Sequence, residues 1–84
     1  MPLPLVKLYE RPDCHLCEVA LAELEGLRAE GLEFELERVD IDTDDDLLRR
    51  CLELIPVIEL DGERVSELGL DADALRARLA TVSP

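Results

Sequence analysis

Aromatic side chains are almost missing from this chain: Tyr9 and Phe34 are the whole set, and there is no tryptophan. Leucine, valine, isoleucine and alanine must therefore build the core, and an apolar content of 48% supplies them. Basic residues are also scarce, 9 against 21 acidic ones, for a formal net charge of −12. A surface that acidic repels phosphate backbones and anionic lipid heads, which argues against nucleic acid and membrane as partners. Its plain consequence is a well-solvated exterior. No apolar run approaches the ~20 residues that span a bilayer. The opening MPLPLVKLYERP lacks a basic flank followed by a long apolar segment, so it does not read as a secretory signal. A cytoplasmic location is expected. There, a close cysteine pair is more often catalytic or metal-binding than a structural staple. The odd cysteine count of three also argues against a disulfide framework.

With 84 residues the chain is expected to be a single domain, 1–84, acting as a monomer. A domain of this size buries only about 60–65% of the surface its unfolded form exposes, so every element has to contribute. Residues 3–9, LPLVKLY, read as a first strand, with Pro4 at its start or edge because proline cannot donate to a ladder. Leu16, Ala20, Leu24 and Leu27 recur at helical spacing, broadened by Val19 and Leu21, and Gly31 is a natural stop. The stretch LEFELERVDID carries a second strand whose faces the spacing does not settle. Thr43 before three aspartates reads as a capped helix start, and that helix carries Leu47, Leu48, Cys51 and Leu52. It must end before Pro56, which also forces Ile55 toward an extended conformation. PVIEL, Asp61-Gly62 and ERV form a hairpin signal. Asp71 can cap a last helix with Leu75, Leu79 and Val82 on one side, ending at Pro84. The order is β-α-β-α-β-β-α, an α/β fold whose strand–helix–strand unit demands a parallel pair and whose hairpin adds antiparallel strands to the same sheet.

Cys14 and Cys17 stand two residues apart in ERPDCHLC, at the junction of the first strand and the first helix. The spacing alone leaves chance open, and the junction makes the pair a plausible thiolate site. A thiolate is favoured at a helix N-terminus, where unpaired N–H groups and the positive end of the dipole meet it. Cys17, one turn on, lies on the same helical side and can attack a mixed disulfide formed at Cys14. Cys14 is then the exposed nucleophile and Cys17 the more buried resolving thiol. His15, when protonated, and Arg11 favour the thiolate, whereas Glu10, Asp13 and Glu18 oppose it. Pro12 completes this neighbourhood. Zinc is the competing chemistry, but only Cys51 and His15 remain as conventional ligands, so no metal is expected. Cys51 reads as a small apolar residue of the second helix.

KLYERPDCHLC, an IPV some forty residues later, DGERV and a closing helix together resemble the glutaredoxin branch of the thioredoxin fold. The likeness is nearest to small bacterial glutaredoxin-like proteins with a Cys-His-Leu-Cys site, and it covers almost the whole chain. It implies a four-stranded mixed sheet flanked by three helices, and a thiol–disulfide oxidoreductase. It also implies a cis Ile55-Pro56 bond facing the cysteines, with the backbone of residue 55 offered to a bound substrate strand. The implied substrates are disulfide-containing proteins or small thiols. No cofactor is bound, and glutathione or a thioredoxin-reductase-like protein is the implied electron donor. Arg11 occupies the place of a lysine that helps hold glutathione. The family's Gly-Gly pair and following acidic residue correspond to Ser66, Glu67, Leu68 and Gly69, a change that puts tight glutathione binding in question. The rival reading is a thioredoxin-fold binding or redox-sensing module without efficient turnover.

Overall fold

The computed structural model describes residues 3–82, with side chains described through residue 80. The chain runs as strand β1 (Leu5–Glu10), helix α1 (His15–Ala29), strand β2 (Glu35–Asp40), a 3-10 turn (Ile41–Thr43), helix α2 (Asp45–Cys51), strands β3 (Val57–Leu60) and β4 (Glu63–Glu67), and helix α3 (Ala72–Val82). This is the expected element order. The strands form one sheet in the order β2-β1-β3-β4. β1 and β2 are parallel, as a helical crossover requires, while β3 runs antiparallel to both β1 and β4. Asp61 and Gly62 both take positive φ, 50° and 90°, in the two-residue turn whose twist suits a hairpin. The Asp61 carboxylate accepts the Leu5 N–H at 2.9 Å and so ties that turn to the start of β1.

Alternation along β1 sends Val6 and Leu8 to one face, where both are fully buried. They pack with Ile58 and Leu60 of β3, with Phe34, with Ala20, Leu24 and Leu27 of α1, and with Leu75 and Leu79 of α3. Phe34 precedes β2 rather than belonging to it, and Ile41 lies in the 3-10 turn, so the second strand is shorter than its apolar positions suggested. The buried stripe of α1 is Cys17, Ala20, Leu24 and Leu27, not the Leu16-based one read from spacing. At about 100° per residue Leu16 falls on the flank of that stripe, in the first turn, and it is 53% exposed. Val19 is also exposed. α1 closes as expected at Gly31 (φ 107°), with Leu32 N–H donating to Leu27 C=O at 3.2 Å and Gly31 N–H to Arg28 C=O at 3.0 Å.

The cap of α2 is one residue later than expected. Asp44 accepts the N–H groups of Asp46 (2.8 Å) and Leu47 (3.3 Å), whereas Thr43 Oγ1 donates to Asp40 C=O at 2.7 Å. A carboxylate wins because it accepts two orphan donors and complements the dipole. Of the four apolar residues assigned to α2 only Cys51 is buried; Leu52 is its exposed C-cap. Asp71 caps α3 as read, accepting Ala74 N–H at 3.0 Å; the side chain of Val82 and the stop at Pro84 lie outside the described residues. In the folded protein Leu24→Ala is expected to cost about 3 kcal/mol of unfolding free energy, and Leu16→Ala less than about 0.5 kcal/mol. Urea titration of the two variants checks this, and equal losses would contradict the stripe.

Tyr9 projects to the opposite sheet face, where its hydroxyl donates to Glu59 Oε1 at 2.9 Å. Burial first, then the bond to Glu59 and its negative charge, push the phenol up to about 12. Cys51 acts weakly in the same direction and Arg50 opposes it. The unfolded phenol ionises near 10, so the stabilisation is complete below that pH and is lost as pH rises from about 10 to about 12. Since Tyr9 is the sole tyrosine, its near-ultraviolet absorbance follows the ionisation directly. A midpoint near 12 is expected, moving back toward 10 in Glu59→Gln, with circular dichroism registering any unfolding.

Candidate active site

Strand β1 delivers the chain at Glu10 into a tight turn before α1. Asp13 takes φ 60° there, a left-handed conformation that acidic and amide side chains tolerate better than most. That reversal sets Cys14 in an extended conformation (φ −98°, ψ 106°) as the N-cap of α1. Its carbonyl accepts the Glu18 N–H at 3.0 Å and its Sγ accepts the Cys17 N–H at 3.2 Å. A sulfur thus does what a serine or aspartate oxygen usually does at this position. The same N–H, aligned with the positive end of a 15-residue helix, favours a thiolate at Cys14 when the pair is reduced.

Cys14 and Cys17 are joined by a disulfide, their Cα atoms 5.2 Å apart. The two sulfurs differ in access: Cys14 is half-buried, while Cys17 is 1% exposed and belongs to the buried stripe of α1. Pro12 and His15 flank the pair at the surface. Arg11 is exposed as well, and its Nε donates to Asp42 Oδ1 at 2.8 Å. Arg38 of β2, which the sequence did not single out, grips Glu10 through two bonds of 2.6 and 3.2 Å. That carboxylate raises the Arg38 guanidinium above its ordinary value, holding it charged. The Glu10–Asp13 turn, Glu18, Arg38 and Asp40 line a cleft of about 440 Å³ beside the pair.

The Ile55-Pro56 peptide is cis, as the resemblance implied, and Pro56 is buried. It stands immediately before β3, whose first residue Val57 pairs with Tyr9 near the end of β1. The proline loop and the cysteine turn therefore lie at the same end of the sheet, where β1 finishes and β3 begins. The backbone of residue 55 is only half free: its N–H donates to Cys51 C=O at 3.0 Å, and among the described residues nothing donates to its carbonyl. Leu68 N–H donates to Leu54 C=O at 2.8 Å, joining the exit of β4 to this loop. Leu68 is 57% exposed with φ 63°, a conformation costing a branched L-residue roughly 1–2 kcal/mol, and Gly69 follows at φ 150°. Of the stretch Ser66–Gly69, this pair carries the unusual backbone. Ser66 Oγ accepts Asp71 N–H at 3.2 Å and Glu67 pairs with Arg64, so both serve local structure.

Cys51 is a free, buried thiol on α2, 5% exposed. Among the described residues no three His, Cys, Asp or Glu side chains converge as metal ligands would. No helix among them is long and apolar enough to cross a membrane.

A mixed sheet with this order, a Cys-x-x-Cys pair at the first strand–helix junction and a cis-proline at the same end of the sheet define a thioredoxin-like fold with a dithiol site. Residues 5–80 match the Glutaredoxin-like domain (DUF836), and the chain belongs to that family. Among solved structures it is similar to the protein Ne2328 from Nitrosomonas europaea, with 30% identity, 93% of each chain covered and a TM-score of 0.81. It is also similar to the protein XcR50 from X. campestris, with 33% identity over 93% of this chain and 99% of that one, at a TM-score of 0.72. A thioredoxin from Halobacterium salinarum shares the fold at 23% identity and a TM-score of 0.68, covering 99% of this chain and 77% of that one. No curated protein matches the chain.

The unequal access of the three thiols has a direct consequence. In protein reduced and then exposed briefly to iodoacetamide, Cys14 is expected to be alkylated about tenfold or more faster than Cys17 and Cys51. Peptide mapping by mass spectrometry reads the ratio, and comparable labelling of Cys51 would contradict its burial.

Proposed function

We propose that the protein is a thiol–disulfide oxidoreductase with Cys14 as nucleophile and Cys17 as resolving thiol. The observation that carries this reading is the Cys17 N–H bonded to Cys14 Sγ at the start of α1, with Cys17 itself buried beneath. In the reduced state the Cys14 thiolate attacks one sulfur of a substrate disulfide, and the other sulfur leaves as a thiolate that takes up a proton. Cys17 then gives up its proton and attacks Cys14 Sγ, expelling the second substrate thiol. Two electrons have passed to the substrate, and the Cys14–Cys17 disulfide is the product state. Two equivalents of glutathione, or a thioredoxin-reductase-like protein, return the two electrons.

The neighbourhood supports the assignment of roles. Arg11, Pro12 and His15 form the rim from which a substrate approaches, and His15 is free to meet a leaving thiolate. Ile55 and Pro56 lie at the same end of the sheet, where the open Ile55 carbonyl can accept one bond from a substrate backbone. The reading is of a monomer working in the reducing cytoplasm on disulfide-containing proteins or small thiols.

Insulin reduction with dithiothreitol as donor tests the reading. Cys14→Ser is expected to lower the protein-dependent rate ~100-fold or more, because Cys17 and Cys51 are both buried. Mixed with insulin in the absence of dithiothreitol, Cys17→Ser retains the first step and accumulates a mixed disulfide at Cys14, visible as an added mass that dithiothreitol then removes. Reductase activity surviving in Cys14→Ser would refute the nucleophile. A wild type that forms the mixed disulfide but never releases it would be a binding module instead.

A further inference from the structure

The cleft beside the cysteine pair has a charge pattern that disulfide exchange itself does not require. Four carboxylates, of Glu10, Asp13, Glu18 and Asp40, face two guanidiniums, of Arg11 and Arg38. Both guanidiniums are already held, Arg38 by Glu10 and Arg11 by a fifth carboxylate, Asp42, at the rim. The side chains of Asp13 and Glu18 are exposed and make no hydrogen bond or ion pair among the described residues. The Arg11–Asp42 pair is exposed and so individually weak, whereas Arg38 is held by two bonds to a largely buried Glu10, so Arg11 is the arginine that can swing toward an incoming anion at little cost. Doing so leaves its former carboxylate behind at the same rim. A charged substrate therefore feels the sum of the cleft, which is negative, within a chain of net charge −12.

Resting on the oxidoreductase reading, we infer that this cleft selects substrates by charge. It accepts disulfides carried on protein segments rich in lysine or arginine and discriminates against glutathione disulfide, whose carboxylates outnumber its ammonium groups. The chemistry is unchanged: the Cys14–Cys17 dithiol is oxidised to the disulfide, and the two substrate sulfurs leave as thiols with the released protons.

The test uses the full chain, reduced and freed of dithiothreitol, then mixed with one of three disulfides and quenched with acid. Two are peptides of equal length bearing an intramolecular disulfide flanked by lysines or by glutamates; the third is glutathione disulfide. At low ionic strength the lysine peptide is expected to react about tenfold or more faster than the glutamate peptide. The ratio should fall toward one at high salt, where screening shortens the reach of the cleft to a few ångströms. It should also shrink in the Asp13→Asn, Glu18→Gln double variant. Because the ratio is taken within one protein, changes in Cys14 reactivity cancel. A ratio near one at low salt overturns the proposal, as does glutathione disulfide reacting as fast as the lysine peptide. A preference that persists undiminished in the double variant overturns the assignment to this cleft. If none of the three oxidises the protein, the oxidoreductase reading fails and this inference with it.

Discussion

Because β1 is hydrogen-bonded along both edges, parallel to β2 and antiparallel to β3, its side chains must be covered from above and below. Val6 and Leu8 meet that demand on one face through α1 and α3, and with only two aromatic residues in the chain the packing there is almost entirely aliphatic. The same pairing fixes where β1 ends. Glu10 is its last bonded residue, so the turn that follows has to reverse direction at that end of the sheet and start a helix that returns over the core. Cys14 is the residue at which that reversal becomes a helix, and the proline loop before β3 arrives at the same end because β3 runs the opposite way.

Two opposing electrostatic influences meet at Cys14. The Cys17 N–H and the aligned peptides of α1 act at hydrogen-bond range on the sulfur itself. The carboxylates of Glu10, Asp13 and Glu18 line the cleft beside it. Short-range donors in fixed geometry are screened least, and charges that act through water are screened most. A site can thus favour an anion at one atom and repel anionic ligands around it.

Much of the fold was legible because the signals were local. Asp61-Gly62 dictates its turn through backbone sterics, Gly31 ends α1 for the same reason, and Asp71 caps α3 through its own side chain. The misreadings came where a local pattern had two solutions. Leu16 and Cys17 both fit a helical stripe, and the phase was settled by which residues Val6, Leu8 and Ile58 could reach. Thr43 and Asp44 both fit a cap, and the 3-10 turn took the threonine. Leu68 gave no local sign of its left-handed backbone; its bond to Leu54, fourteen residues earlier, holds it there.

By itself the sequence determined the element order, the hairpin, the acidic surface and the placement of a cysteine pair at the start of a helix. Each of these depends on residues within a few positions of one another. Only the tertiary structure decided that Arg11 and Arg38 are already engaged by Asp42 and Glu10, and that the Ile55 N–H is turned inward to Cys51. Those outcomes depend on strand register and on how helices seat against the sheet, which bring together residues far apart along the chain.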